Sequence, residues 1–165
     1  GPTAGYISSK YNLGTSGSPV QITKVNVIDY IADCEAVLLE RDVVPGDDWW
    51  MLIPVVMKNM IEKSDLKDAS LTGDNVSMAR TGLIGKIGTF NIFASNLVYS
   101  VTDGSGYTAY YIMFGNKQAL SFAAQLTKTE NLRAEKTFGD KVRGLYVYGF
   151  KTVKTENLGC LYARF

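Results

Sequence analysis

Between residues 23 and 44, apolar side chains return at Val27, Ile28, Ile31, Val37 and Leu38, while Asp29, Asp33, Glu35 and Glu40 fill positions between them. That spacing predicts an amphipathic helix. Thr23 or Asn26 is placed to cap it, and it must stop ahead of Pro45, because the residue before a proline avoids helical angles. Pro45, Gly46, Asp47 and Asp48 form a turn, and the short apolar run from Trp49 to Ile53 then reads as a buried strand. Pro54 suits the first position of a second helix, where its missing N–H costs nothing. Val55, Val56, Met57, Met60 and Ile61 carry that helix to about Lys63.

Residues 64–80 break the pattern with a polar stretch that includes the turn-prone Thr72, Gly73, Asp74 and Asn75. Connections this long inside a compact domain are usually functional or mobile. Glycines at 82, 85 and 88 then punctuate short strands through Phe90, Ile92 and Phe93, with another near residues 97–101. Asp103, Gly104, Ser105 and Gly106 make a tight turn, and Thr108 to Phe114 is a strand rich in aromatic and β-branched residues. After it, Ala119, Leu120, Phe122, Ala123 and Leu126 predict a helix over residues 117–126, with Asn116 as its cap. Residues 127–136 read as extended and residues 140–145 as one helical turn. Residues 146–154 and 159–165 read as two closing strands. Ahead of all this, residues 3–23 are rich in Gly, Ser, Thr and Pro and predict an extended segment with one short strand. Gly1 and Pro2 look like the scar of a removed expression tag, which would make the chain part of a longer protein.

Composition narrows the chemistry. The chain has 165 residues, enough for a core without disulfides or metals, and 17 basic against 16 acidic side chains. A nucleic-acid binder carries a larger basic excess. A near-neutral surface also permits self-association. Histidine is absent, which removes the commonest general base and the commonest zinc ligand. Cys34 and Cys160 lie far apart in apolar surroundings and read as small buried hydrophobes. Gly82 to Lys86 resembles a phosphate-binding loop only superficially, because Ile87 stands where a magnesium-holding Ser or Thr is required. Asp103 to Gly106 lacks the remaining acids of a calcium loop. The basic residues Lys128, Arg133, Lys136, Lys141 and Arg143 are interleaved with Glu130, Glu135 and Asp140. Salt pairs with a neighbouring subunit use them more economically than nucleic acid does. No cofactor, metal or catalytic residue is expected, and no apolar run is long enough for a membrane-spanning helix.

Four stretches together resemble the major capsid proteins of tailed bacteriophages, which have the HK97-type fold. They are residues 36–45 (AVLLERDVVP) followed by 49–54 (WWMLIP); residues 82–97 (GLIGKIGTFNIFASNL); residues 112–119 (IMFGNKQA) with 125–126 (QL) and 130–133 (ENLR); and residues 138–149 (FGDKVRGLYVYG) with 158–161 (LGCL). The resemblance implies an α+β fold with a central mixed sheet flanked by helices. It implies residues 1–22 as an extended leading segment and residues 23–165 as the axial domain with C-terminal strands of the peripheral domain. The family's N-terminal arm, extended loop and long spine helix would precede residue 1. The implied role is that of a structural subunit of an icosahedral capsid. Copies would form pentamers and hexamers in the virion, after synthesis in the host bacterial cytoplasm and with possible guidance by a scaffolding protein. Leu71, Thr72, Gly73, Asp74 and Asn75, and Asp103, Gly104, Ser105 and Gly106, are the candidate subunit-contact loops. An encapsulin-like cellular shell protein, or a peptide- or glycan-binding module, is the alternative expectation.

Overall fold

The computed structural model describes residues 10–64, 83–104, 106–133 and 139–165. The chain divides into two units: residues 1–119 with 154–165, and residues 120–153.

The larger unit is built on a seven-stranded mixed sheet. Its strands are β1 (Val20–Gln21), β2 (Trp49–Ile53), β3 (Leu83–Ile87), β4 (Phe90–Ala94), β5 (Ser100–Thr102), β6 (Thr108–Asn116) and β9 (Leu158–Arg164). They run in the order β1-β9-β6-β2-β4-β3, with β5 paired to β6. β2 is parallel to β4 and β1 to β9, while the other pairs are antiparallel. A parallel pair needs a crossover, and helix α2 (Val55–Glu62) lies in the one from β2 to β4.

Alternation along the strands decides which side chains meet the helices. Trp49, Met51 and Ile53, with Phe90, Ile92, Ile112, Phe114, Leu161 and Ala163, share one buried cluster with Val27, Ile31, Cys34 and Leu38 of helix α1 (Val27–Leu39) and Met57 and Ile61 of α2. Both helices therefore pack on the same sheet face. Trp49 and Phe90 lie 5.4 Å apart between ring centroids, and Phe90 meets Phe114 edge-on at 5.8 Å. The Trp49 indole N–H donates to the Val44 carbonyl oxygen at 3.0 Å, so its polar edge is satisfied in the core. Gly159 is required here, because a Cβ on it would stand 2.3 Å from the Phe114 ring.

The expected α1, β2, α2, β6 and β9 are all present, with small differences at their ends. Pro54 is the N-cap of α2, one position earlier than expected. Asn26 sits at the N-cap of α1 without capping it; its side-chain oxygen instead accepts the Thr23 N–H at 2.7 Å. The helix ends as Asp42 turns left-handed at φ 57°, a conformation that Asp tolerates better than most residues.

The second unit corrects two expectations. No helix spans residues 117–126: a 3-10 turn (Lys117–Ala119) leads straight into β7 (Leu120–Arg133). Residues 140–145 are not a helical turn either, but the start of β8 (Asp140–Thr152). The two strands pair antiparallel over their whole length, from Leu120↔Thr152 to Arg133↔Asp140, with one bulge between Leu126 and Lys128. Leu120, Phe122, Ala124 and Leu126 alternate along a strand, just as Ala119, Leu120, Ala123 and Leu126 recur along a helix, and pairing with β8 selects the alternation.

Candidate subunit-contact surfaces

Of the candidate loop residues, Leu71, Thr72, Gly73, Asp74, Asn75 and Ser105 lie outside the described residues. Asp103, Gly104 and Gly106 form the turn between β5 and β6. Asp103 donates its own N–H to the Tyr107 carbonyl and accepts the Gly106 N–H, both at 2.8 Å. Its side chain turns inward and is buried. There Asp103 Oδ1 accepts the N–H of Gly17 at 3.2 Å. The Arg164 guanidinium lies 4.0 Å over the Tyr107 ring on the same turn.

A tyrosine ladder runs beside this turn. Tyr99 and Tyr111 are 5.4 Å apart, and Tyr111 and Tyr162 are 4.7 Å apart. The Tyr162 phenol is pushed above its ordinary value, first by loss of solvent and then by the neighbouring Asp103 charge and Tyr111. It therefore stays neutral through the physiological range.

The sheet face opposite the helices is not polar. Phe93, Leu52, Met113 and Cys160 stand in register across four adjacent strands. Phe93 is 46% exposed, and Leu52, Met113 and Cys160 are half-buried. Burial raises the Cys160 thiol to about 11. Just ahead of β2, Lys86 Nζ on β3 reaches Asp47 at 2.6 Å and Lys117 Nζ in the 3-10 turn reaches Asp48 at 2.7 Å, so each of the two exposed acids is paired with a lysine.

The hairpin carries an exposed apolar face. Leu126↔Tyr146, Ala124↔Tyr148 and Phe122↔Phe150 are opposed pairs on one of its faces. Phe122 is 66% exposed and Phe150 is 79% exposed, and Leu126, Tyr146 and Tyr148 are also exposed. Phe122–Tyr148 and Tyr146–Tyr148 ring contacts, at 6.4 and 6.1 Å, tie the face together. On the other face Arg143 donates from Nε and Nη2 to Glu130 Oε2 at 3.0 and 2.6 Å, and Lys128 pairs with the same carboxylate. These two cations hold the Glu130 carboxyl below its usual range.

Among the described residues no cluster of His, Cys, Asp or Glu could hold a metal ion, and no helix is long and apolar enough to cross a membrane.

No protein-family model matches the chain. No curated protein matches it either. Solved structures do. A chain from Mycobacterium phage Che8 superposes with a TM-score of 0.65 at 24% identity, over 89% of this chain and 52% of that one. A chain from the capsid of Ralstonia phage GP4 superposes with a TM-score of 0.58 at 16% identity, over 91% of this chain and 49% of that one. The fold is that of a phage capsid protein. The expected α+β architecture, a mixed sheet with two helices, matches that of these phage structures. The chain spans about half the length of each solved chain that it matches.

Within this capsid fold, sequence reasoning placed the Asp103 turn but missed what Asp103 binds. Gly17 is 86 residues away, and no local pattern connects the two. It also missed the apolar hairpin face. Period-two alternation at Leu120, Phe122, Ala124 and Leu126, matched by Tyr146, Tyr148 and Phe150, was the available signal.

Proposed function

We propose that the chain is part of a structural subunit of a phage capsid. Copies of the full subunit pack into pentamers and hexamers in the virion, with no catalytic role. The observation that carries this reading is the superposition on phage structures over about nine-tenths of the chain. The hairpin supports it physically. A two-stranded hairpin is marginal in water by itself, and this one holds Phe122, Leu126, Tyr146, Tyr148 and Phe150 in the open on one face. Burying each such side chain contributes roughly 1.5–3 kcal/mol. A surface of that size is a docking face for other parts of the longer subunit or for neighbouring copies.

The Leu71–Asn75 and Asp103–Gly106 loops remain the proposed contacts between copies, and synthesis in the host cytoplasm with a scaffolding partner belongs to the same proposal. Rings of five and six subunits meet related but unequal neighbours, so the contacts are head-to-tail and must close at two rotations. The test is electron microscopy of particles made by the full-length protein with Leu71 and residues 72–75 replaced. Lost or malformed particles, with the fold intact, are expected. Normal particle yield removes these loops from the contact set, and a full-length protein that never forms shells overturns the capsid reading.

A further inference from the structure

We infer that Asp103 is a positioning residue that latches the leading segment to the β5–β6 turn, so that the two are held as one piece. Its backbone closes the turn through Tyr107 and Gly106, while its carboxylate leaves the turn to take the Gly17 N–H. A buried carboxylate without donors is costly; the Gly17 N–H supplies one, and the Tyr162 phenol faces the same carboxylate.

The leading segment is shaped to deliver that N–H. Asn12 Oδ1 accepts the Gly14 N–H at 3.0 Å. Thr15 and Ser18 exchange backbone hydrogen bonds at 3.2 and 2.9 Å around a tiny loop, and Gly17 sits in it at φ +91°. The same segment is fastened to β9: the Tyr162 N–H donates to the Leu13 carbonyl at 2.8 Å, and the Ile22 N–H to the Arg164 carbonyl at 2.9 Å. A Cβ at Gly14 would lie 2.2 Å from the Tyr162 carbonyl oxygen, so no side chain fits between them. On the turn's other side, Arg164 of the same strand covers Tyr107. The leading segment and the turn thus share β9 as a base and Asp103 as their direct link. A displacement of residues 12–18 reaches the turn through that link.

The latch is a property of this chain alone. Its bearing on assembly rests on the capsid reading, in which the turn is a contact between copies. Amide hydrogen exchange on the chain separates the two questions, because it reads the latch without any assembly. In Asp103→Ala, protection at Gly17 should fall about tenfold to a hundredfold, and Gly106 should exchange faster. Amides of Met51 and Ile92 in the central strands should keep their rates. Asp103→Asn keeps the acceptor oxygen without the charge and should lose less, because hydrogen bonds to an ionised acceptor are the stronger ones. Unchanged exchange at Gly17 in Asp103→Ala overturns the latch. So does an equal loss of protection at Gly17, Met51 and Ile92, since Asp103 would then be a general stabiliser of the unit.

Discussion

The compact unit and the hairpin are made of similar material and treat it in opposite ways. In the compact unit, Trp49, Phe90 and Phe114 disappear beneath two helices. In the hairpin, Phe122, Tyr148 and Phe150 stand in water on one face of a ribbon whose other face mixes the Lys128–Glu130–Arg143 ion pairs with exposed Leu145 and Val147. Both regions obey strand alternation. Only the first contains the layer that its apolar face requires. A region that satisfies its own packing can be a scaffold, and in the proposed reading the open face is completed by other parts of the subunit or by neighbouring copies.

The largest expected effect is in the scaffold. Phe90→Ala removes the ring that joins Trp49 to Phe114 and should cost about 3–5 kcal/mol, read as a lower denaturant midpoint for the compact unit. Gly159→Ala should come next. Its new methyl group displaces the Phe114 ring, an overpacking penalty of about 1–3 kcal/mol. A pH effect follows in the same unit. The Cys160 thiol ionises near 9 when unfolded and near 11 when folded. The unfolded chain therefore loses its proton first, and stability should fall as pH rises across that window. Burial also pushes the Cys34 thiol well above its ordinary value, so Cys160→Ala should reduce that slope in denaturant titrations at pH 8 to 11 and leave the part that Cys34 contributes.

The smallest effect on folding is expected in the hairpin, and it is the most informative for the comparison. Phe122→Ser with Phe150→Ser should change the midpoint of the compact unit by less than about 0.5 kcal/mol. The same pair should strongly reduce particle formation by the full-length protein. A large loss of compact-unit stability would show that these side chains already have their partners within the chain.

How much was legible follows the same division. α1, β2, α2, β6 and β9 were readable because local spacing and packing agree there: Val27, Ile31 and Leu38 face the core at the positions their periodicity assigns. Residues 117–126 misled because Ala119, Leu120, Ala123 and Leu126 also fit a helical stripe, and Ala, Gln and Leu favour helices. Tyr146, Tyr148 and Phe150, more than twenty residues later, settle the matter by pairing. The Asp103 turn was legible as a turn, since Asp and Gly supply its geometry. Its link to Gly17 is a tertiary fact with no trace in local sequence.

The most direct test of the account is electron microscopy of the full-length protein with and without Phe122→Ser and Phe150→Ser. Closed shells from the unaltered protein, and soluble, folded subunits from the variant, are the predicted pair of results. Shells of normal yield from the variant, or no shells from the unaltered protein, would contradict the claim that this chain is a capsid building block completed through its hairpin.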